Sequence, residues 1–364
     1  MAVRARALID LEAIRHNARK MAGAAGAAQL CAVVKADAYG HGMVPAARAA
    51  QEGGATWLAV ATAQEARALR AAGVEGRVLV MGALSDEELP VALEAQADVV
   101  AWRTNFVERV AALGGGRIHA KLDSGMGRLG TRDPGEASDV AELAAERAEL
   151  AGLMSHFATA DELDDGFLDE QLTRFREWAG PLGERHPAAL VHCANSAATL
   201  RSPETHFGMV RSGIAIYGMD PFGIDPERHD LRPVLSLESY VAEVKPILPG
   251  QSAGYGRRFV AEDETTIATI PVGYGDGWRR SLHPGADALI GGRRLPLAGT
   301  ISMDNLTVDL GPDGAGVSVG DPVVLIGRSG DERILAEDLA RLLGTINYEI
   351  TCGLTARVPR VYEN

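Results

Sequence analysis

Residues 29–42 read QLCAVVKADAYGHG. The opening run is apolar and partly β-branched, as a buried strand requires. The residues after it decide between two α/β architectures. An open doubly wound sheet should carry GxGxxG in its first strand-to-helix turn, and KADAYGHG does not fit that pattern. Seven similar runs follow: TWLAVAT (56–62), RVLVMG (77–82), ADVVAW (97–102), RIHAKLDSG (117–125), LAGLMSHFA (150–158), ALVHCANS (189–196) and FGMVRSG (207–213). Between them lie segments of helical spacing such as AQEARALRAAG and SDEELPVALEAQ, several of them closed by Gly. Eight strands alternating with helices over the first 230 residues or so predict a closed parallel (β/α)8 barrel, a TIM barrel.

The pattern changes near LRPVL (231–235). Strand-like runs such as TTIATIPVGYG and LPLAGTISMDNLTVDL then dominate, broken by Gly, Pro and Asp-Gly turns. One helix is predicted there, over LAEDLARLLG (335–344). The predicted division is a barrel over 1–231 and a mostly β domain over 232–364, with the first ten residues open to pairing with the second domain.

The chain has 364 residues, 36 Lys plus Arg against 49 Asp plus Glu, and a formal net charge of −13. An acidic chain of this kind repels phosphate backbones and anionic lipid heads, so neither nucleic acid nor membrane surface is an expected partner. Three scattered cysteines, Cys31, Cys193 and Cys352, show no CxxC spacing and predict neither a disulfide framework nor a zinc site. Their apolar neighbours predict three buried, inert thiols. The N-terminal stretch is charged throughout, unlike a signal peptide, and no apolar run is long enough to span a bilayer; a cytoplasmic location is expected.

In a barrel, reactive groups stand where strands end and βα loops gather. There this sequence places Lys35, Lys121, His156, Asn195, Ser196 and Arg211, with Tyr39 and Arg128 in the loops that follow. Such a mouth is cationic within an acidic protein and implies an anionic ligand. Lys35 is either a lysine that has reached the surface at a strand end or a desolvated amine able to form a Schiff base, which pyridoxal phosphate needs. Ser196 and the turn after Arg211 offer the hydroxyl, small residues and backbone N–H groups a phosphate requires.

AVVKADAYGHG (32–42) resembles the pyridoxal-phosphate lysine motif of bacterial alanine racemases. The likeness continues through KLDSGMGRLG (121–130), SHFATAD (155–161), CANSAA (193–198), VRSGIAIYG (210–218), SAGYGRRF (252–259), VGYGDGW (272–278), ISMDN (301–305) and RVPR (357–360), in the family's order and over almost the whole chain. The family's architecture, an N-terminal barrel with a C-terminal β domain, agrees with the reading above.

The resemblance implies an enzyme that interconverts L- and D-alanine and supplies D-alanine for peptidoglycan. Lys35 would hold pyridoxal 5'-phosphate as an aldimine and act as one of two bases. Tyr255 would be the other, delivered to the opposite face from the partner subunit of a homodimer, along with Met303. Arg211 would bond the pyridine nitrogen and His156 would orient Arg211. Tyr39, Ser196, Gly213 and Ile214 would hold the phosphate. Arg128 would lie near the substrate carboxylate, and Lys121 matches a lysine carbamylated in some members. Met303 would offer its backbone N–H to the carboxylate with Asp304 beside it, and Tyr274 would line the entrance. An arginine cannot easily protonate the pyridine nitrogen, which weakens the electron sink and disfavours side reactions such as transamination.

Taken singly these residues have plainer readings. Tyr255 is a turn tyrosine in a Gly-rich segment, His156 a core histidine, Met303 core packing and Tyr274 a hairpin residue. Their co-occurrence in order is what moves the reading. Two positions depart from the family pattern: Ala356 stands where many members have a phosphate-binding tyrosine, and Ser302 where a cysteine is frequent. The competing readings are a racemase of broader or serine preference, a barrel decarboxylase of basic amino acids, and a one-domain pyridoxal-phosphate carrier. A decarboxylase should pair the pyridine nitrogen with a carboxylate, not Arg211. A carrier has no use for a second domain.

Overall fold

A computed structural model describes residues 4–364. The chain forms two compact units. One holds Ile14–Phe222 and Glu227–Leu231; the other holds Gly223–Pro226, Arg232–Asn364 and the N-terminal stretch as far as Ala13.

The first strand, β1 (Ala5–Asp10), belongs to the second unit. The barrel unit is built on β2 (Gln29–Val33), β3 (Trp57–Val60), β4 (Arg77–Val80), β5 (Asp98–Ala101), β6 (Arg117–Lys121), β7 (Glu149–Met154), β8 (Leu190–His192) and β9 (Met209–Ser212). Each overlaps one predicted run. All neighbours are parallel, in the order β8-β7-β6-β5-β4-β3-β2-β9. The two end strands are joined by backbone bonds: Gly208 N–H donates to Val191 at 3.0 Å and Arg211 N–H to Ala194 at 2.9 Å. The sheet is therefore the predicted barrel. β3, β4 and β5 are nearly continuous in Val, Leu and Ala and almost wholly buried, as strands covered on both faces must be.

Helix starts tie the loops at the mouth. The helix Ala63–Ala71 opens on a capping box: Thr62 Oγ1 accepts from the Glu65 N–H at 3.2 Å, and Glu65 accepts from the Thr62 N–H at 3.1 Å. The other Glu65 oxygen accepts from the Ala36 N–H at 2.7 Å, so one cap also anchors the residue after Lys35.

The second unit is mostly β, as expected. Its strands are β10 (Leu235–Tyr240), β11 (Glu243–Ile247), β12 (Ser252–Ala253), β13 (Phe259–Val260), β14 (Thr265–Ile270), β15 (Asp287–Ile290), β16 (Arg293–Pro296), β17 (Leu306–Gly311), β18 (Pro322–Ser329), β19 (Glu332–Ile334) and β20 (Arg360–Glu363). The main sheet runs β16-β15-β18-β10-β1-β20, with β1 inside it, antiparallel to β10 and parallel to β20. A second sheet runs β11-β14-β17, and β12 pairs with β13 in a short ribbon.

Two expectations are corrected here. The predicted helix forms over Ala336–Leu343, but a second, Asn347–Cys352, follows it. Its six residues are too few to show a periodic apolar face. Cys352 is exposed, unlike buried Cys31 and Cys193. It ends that helix one position beyond the buried Ile350 and Thr351, and the helical rotation carries it outward.

Candidate active site

Lys35 follows Val34 at the end of β2 and enters an unusual turn. Ala36, Asp37, Ala38 and Tyr39 have φ of 52°, 51°, 56° and 55°, one left-handed helical turn made without glycine. Each such residue costs about 1–2 kcal/mol against the right-handed form. The turn is held by its surroundings: Asp37 Oδ1 accepts from the Met43 N–H at 2.8 Å, and the Ala36 N–H is tied to Glu65. His41 packs its ring on Tyr217 at a centroid distance of 4.6 Å, and the Tyr39 ring lies 5.0 Å from the same tyrosine. Tyr39 is thereby buried with its hydroxyl directed at Gly213.

That meeting point is a small cradle. Ser196, the first residue of the helix Ser196–Arg201, accepts from the Gly213 N–H at 3.0 Å and the Ala215 N–H at 3.4 Å. A Cβ on Gly213 would stand 2.4 Å from Tyr39 Oη, so only glycine leaves the space open. Ile214 starts a 3-10 turn, where the leading N–H groups have no partner in the turn itself. Two hydroxyls, two backbone donors and a missing methyl suit a phosphate monoester. The residues present fit the phosphate end of pyridoxal phosphate.

Arg211, buried on β9, is held from four directions. It donates to His192 Nδ1 at 2.6 Å, to the Ser155 carbonyl at 2.8 Å, to the Cys193 carbonyl at 3.2 Å and to His156 Nδ1 at 3.3 Å. His156 therefore touches Arg211, and His192, which the sequence reading passed over, touches it more closely. Burial, then the cations Arg211, Arg128, Lys121 and Lys35, hold the His156 imidazole well below its ordinary range. It is a neutral acceptor for Arg211. Burial, then Arg211, His119 and Lys121, likewise hold His192 well below its ordinary range.

Lys121 ends β6 and is buried. Burial, then Arg211 and Arg128, bring its amine down to about 8 from 10.5. Arg128 itself lies in the loop after β6, exposed on the wall of an open cavity of about 690 Å³ shared with Arg103, Asp123 and Arg132.

A hydrogen-bonded chain runs down the barrel interior from Arg211. His192 Nε2 lies 2.7 Å from His119 Nδ1, and His119 Nε2 lies 3.1 Å from Asp98 Oδ2. Arg77 and Arg117 then meet Asp98 at 2.5 and 2.7 Å. Burial would raise the Asp98 carboxyl, but hydrogen bonds from His119, Arg77 and Arg117 hold it at about 2.

The remaining expected residues lie in the second unit. Tyr255 sits at the tip joining β12 to β13 and is 71% exposed. Its base rests on Gly254, whose Cβ would meet the Thr300 nitrogen at 2.8 Å. Tyr274 and Met303 are brought together by backbone bonds: Tyr274 N–H donates to Ser302 at 3.1 Å and Gly275 N–H to Met303 at 2.9 Å. Met303 is 52% exposed and Tyr274 42%, so neither is core packing. Asp304 Oδ1 accepts from Arg357 at 2.7 Å, and Arg357 also meets the buried Asp276 at 3.2 Å. Ser302 spends its hydroxyl inside the loop, donating to the Asn305 carbonyl at 2.8 Å and accepting from the Asn305 N–H at 3.0 Å.

The chain's likeness to known proteins agrees with this arrangement. The family model for the alanine racemase N-terminal domain matches residues 9–221, and that for the alanine racemase C-terminal domain matches residues 234–362. This chain belongs to the alanine racemase family. The alanine racemase of Geobacillus stearothermophilus is 43% identical, with 97% of this chain and 92% of that protein covered. Two solved alanine racemases share the fold. That of Streptomyces lavendulae has a TM-score of 0.93 at 38% identity, covering all of this chain and 98% of the other. That of Bacillus anthracis, with bound L-Ala-P, has a TM-score of 0.91 at 38% identity, covering all of this chain and 96% of the other. Alanine racemases are pyridoxal-phosphate-dependent isomerases, EC 5.1.1.1. Among the described residues, no helix is long and apolar enough to cross a membrane.

Proposed function

We propose that this chain interconverts L- and D-alanine by two-base proton transfer, with pyridoxal 5'-phosphate held in the barrel mouth, and that it supplies D-alanine for peptidoglycan from the cytoplasm. The observation that carries this reading is the Tyr39–Ser196–Gly213 cradle beside Lys35, in a chain of alanine racemase ancestry throughout.

When bound, the cofactor supplies the electron sink that makes an amino-acid Cα proton removable. Lys35 would hold it covalently, Tyr39, Ser196, Gly213 and Ile214 would take its phosphate, and Arg211 would face its pyridine nitrogen. The guanidinium stays protonated and has no proton to give that nitrogen. Racemisation requires a proton to leave one face of Cα and another to arrive on the opposite face. Lys35 Nζ serves one face and Tyr255 Oη the other. An amine and a phenol are weak bases at neutral pH. Arg211, Arg128 and Lys121 gather positive charge at the mouth, which disfavours a protonated amine there.

Tyr255 reaches its site in a homodimer, where it and Met303 complete the neighbouring copy's mouth. Their exposure on their own chain, with Tyr274 beside Met303, supports this assembly. Arg128 and the Met303 N–H would take the substrate carboxylate, Asp304 would fix the Met303 loop through Arg357, and Tyr274 would narrow the entrance. Lys121 is open to carbamylation: its neutral amine adds to carbon dioxide, forming an N–C bond and releasing one proton.

Borohydride reduction followed by peptide mass mapping tests the cofactor site. Label on Lys35 is expected; label on any other lysine overturns the assignment. Comparing kcat/KM for alanine and serine tests the substrate, and a clear preference for serine would reject alanine.

A further inference from the structure

The proposed roles leave the chain from His192 to Asp98 unused. Asp98 opens β5 at the end of the barrel opposite the mouth, while His192 closes β8 at the mouth itself. Asp98, His119 and His192 are fully buried. The barrel is shaped to admit them. A Cβ on Gly152 of β7 would stand 2.2 Å from His119 Nδ1, and the β6–β7 register shifts between Ile118 and His119. A bulge of this kind re-aims a side chain. Trp57 packs edge-on to the His119 ring at 5.7 Å.

The chain has one consistent direction. Arg211 can only donate, so His192 Nδ1 must accept and His192 must carry its proton on Nε2. That proton points at His119 Nδ1, which must accept in turn. His119 then carries its proton on Nε2 and donates it to the Asp98 carboxylate. Arg77 and Arg117 balance the carboxylate, so neither imidazole is asked to become charged.

We infer that Asp98, His119 and His192 are positioning residues that set the acceptor facing Arg211, and thereby hold its guanidinium toward the barrel mouth. This rests on the proposed role of Arg211 at the pyridine nitrogen. An amide at position 98 would offer His119 a donor as readily as an acceptor. Both imidazoles can then reverse, leaving His192 with an N–H aimed at the Arg211 N–H. A change at the far end of the barrel is thus felt at the mouth through three hydrogen bonds.

The test is nitrogen-15 NMR of the full holoenzyme with labelled histidine, assigned with His119→Gln and His192→Asn. Both rings should be neutral with the proton on Nε2; a proton on Nδ1 of either, or on both nitrogens, overturns the inference. In Asp98→Asn a population with Nδ1–H should appear, and kcat should fall by about 10- to 100-fold, as for other outer partners of a functional group, while KM for alanine changes little. Unchanged tautomers and kcat in that variant would also overturn it. Should Asp98→Asn not fold, the native tautomers decide alone. Borohydride label on a lysine other than Lys35 would strike the cofactor reading instead, so the two failures are told apart.

Discussion

The Gly213 N–H donates to Ser196 Oγ at 3.0 Å, and the absent Gly213 side chain is what leaves the Tyr39 hydroxyl open to the same space. A methyl group there would overlap the phenol oxygen. Gly213→Ala should therefore weaken cofactor retention about 5- to 150-fold, the affinity equivalent of a 1–3 kcal/mol overpacking penalty. Equilibrium dialysis against pyridoxal phosphate reads this directly. Full retention would remove the cradle from the phosphate site.

Tyr255→Phe keeps the ring and removes the base. Because Tyr255 is highly exposed on a short ribbon, the change should leave the melting temperature within error. Racemisation should fall by about 100- to 10,000-fold, the usual contribution of a positioned acid–base group. The loss should be greatest in the direction whose proton Tyr255 removes, with the cofactor still bound. Unchanged racemisation would end the two-base assignment.

Lys121 has its amine lowered to about 8, so about a tenth of the molecules carry it neutral at pH 7. Carbamate formation should accordingly rise with pH between about 7 and 9. Carbon-13 NMR in labelled bicarbonate would show a carbamate signal that Lys121→Met abolishes. A signal surviving that substitution assigns the carbamate elsewhere. The stability effect has a definite sign. The folded amine loses its proton near 8 and the unfolded one near 10.5, so the unfolded state binds more protons in that window. Stability contributed by Lys121 must rise with pH across it.

The left-handed turn after Lys35 predicts an unusual gain. Ala36 is exposed and sits at φ 52°, a region glycine enters without penalty. Ala36→Gly should stabilise the barrel unit by about 0.5–1 kcal/mol, seen as a higher denaturant midpoint. If the more pliable turn lets Lys35 wander, kcat will fall as stability rises. A destabilised variant would show that the turn's strain is relieved in some other way.

The eight barrel strands were legible because each is a short apolar run, several of them closed by a polar residue at the mouth. Lys35, Lys121 and Arg211 stood out for the same reason. His119 and His192 did not, because single histidines inside RIHAK and LVHC resemble core residues. The signal was present in spacing: His119 and Lys121 are two apart in one strand and so share a face. The partnership of Asp98 with His119 joins strands that are adjacent in the sheet, and only the barrel brings the two together. The left-handed conformation of ADAY had no glycine to announce it. It is imposed by contacts to Met43 just beyond the turn and to Glu65 and Tyr217, which are distant in sequence.

The place of β1 has a consequence for how the chain is made. Its six residues are translated before every barrel strand, yet they are an interior strand between β10 and β20, the last of which is translated some 350 residues later. The barrel can close on itself during synthesis. The second unit must wait for β10 and β20 to be made, with its leading strand held unpaired meanwhile. Contacts this distant in sequence form slowly and leave a strand edge exposed to aggregation until they do. The period of greatest vulnerability for a newborn molecule thus follows the completion of the barrel.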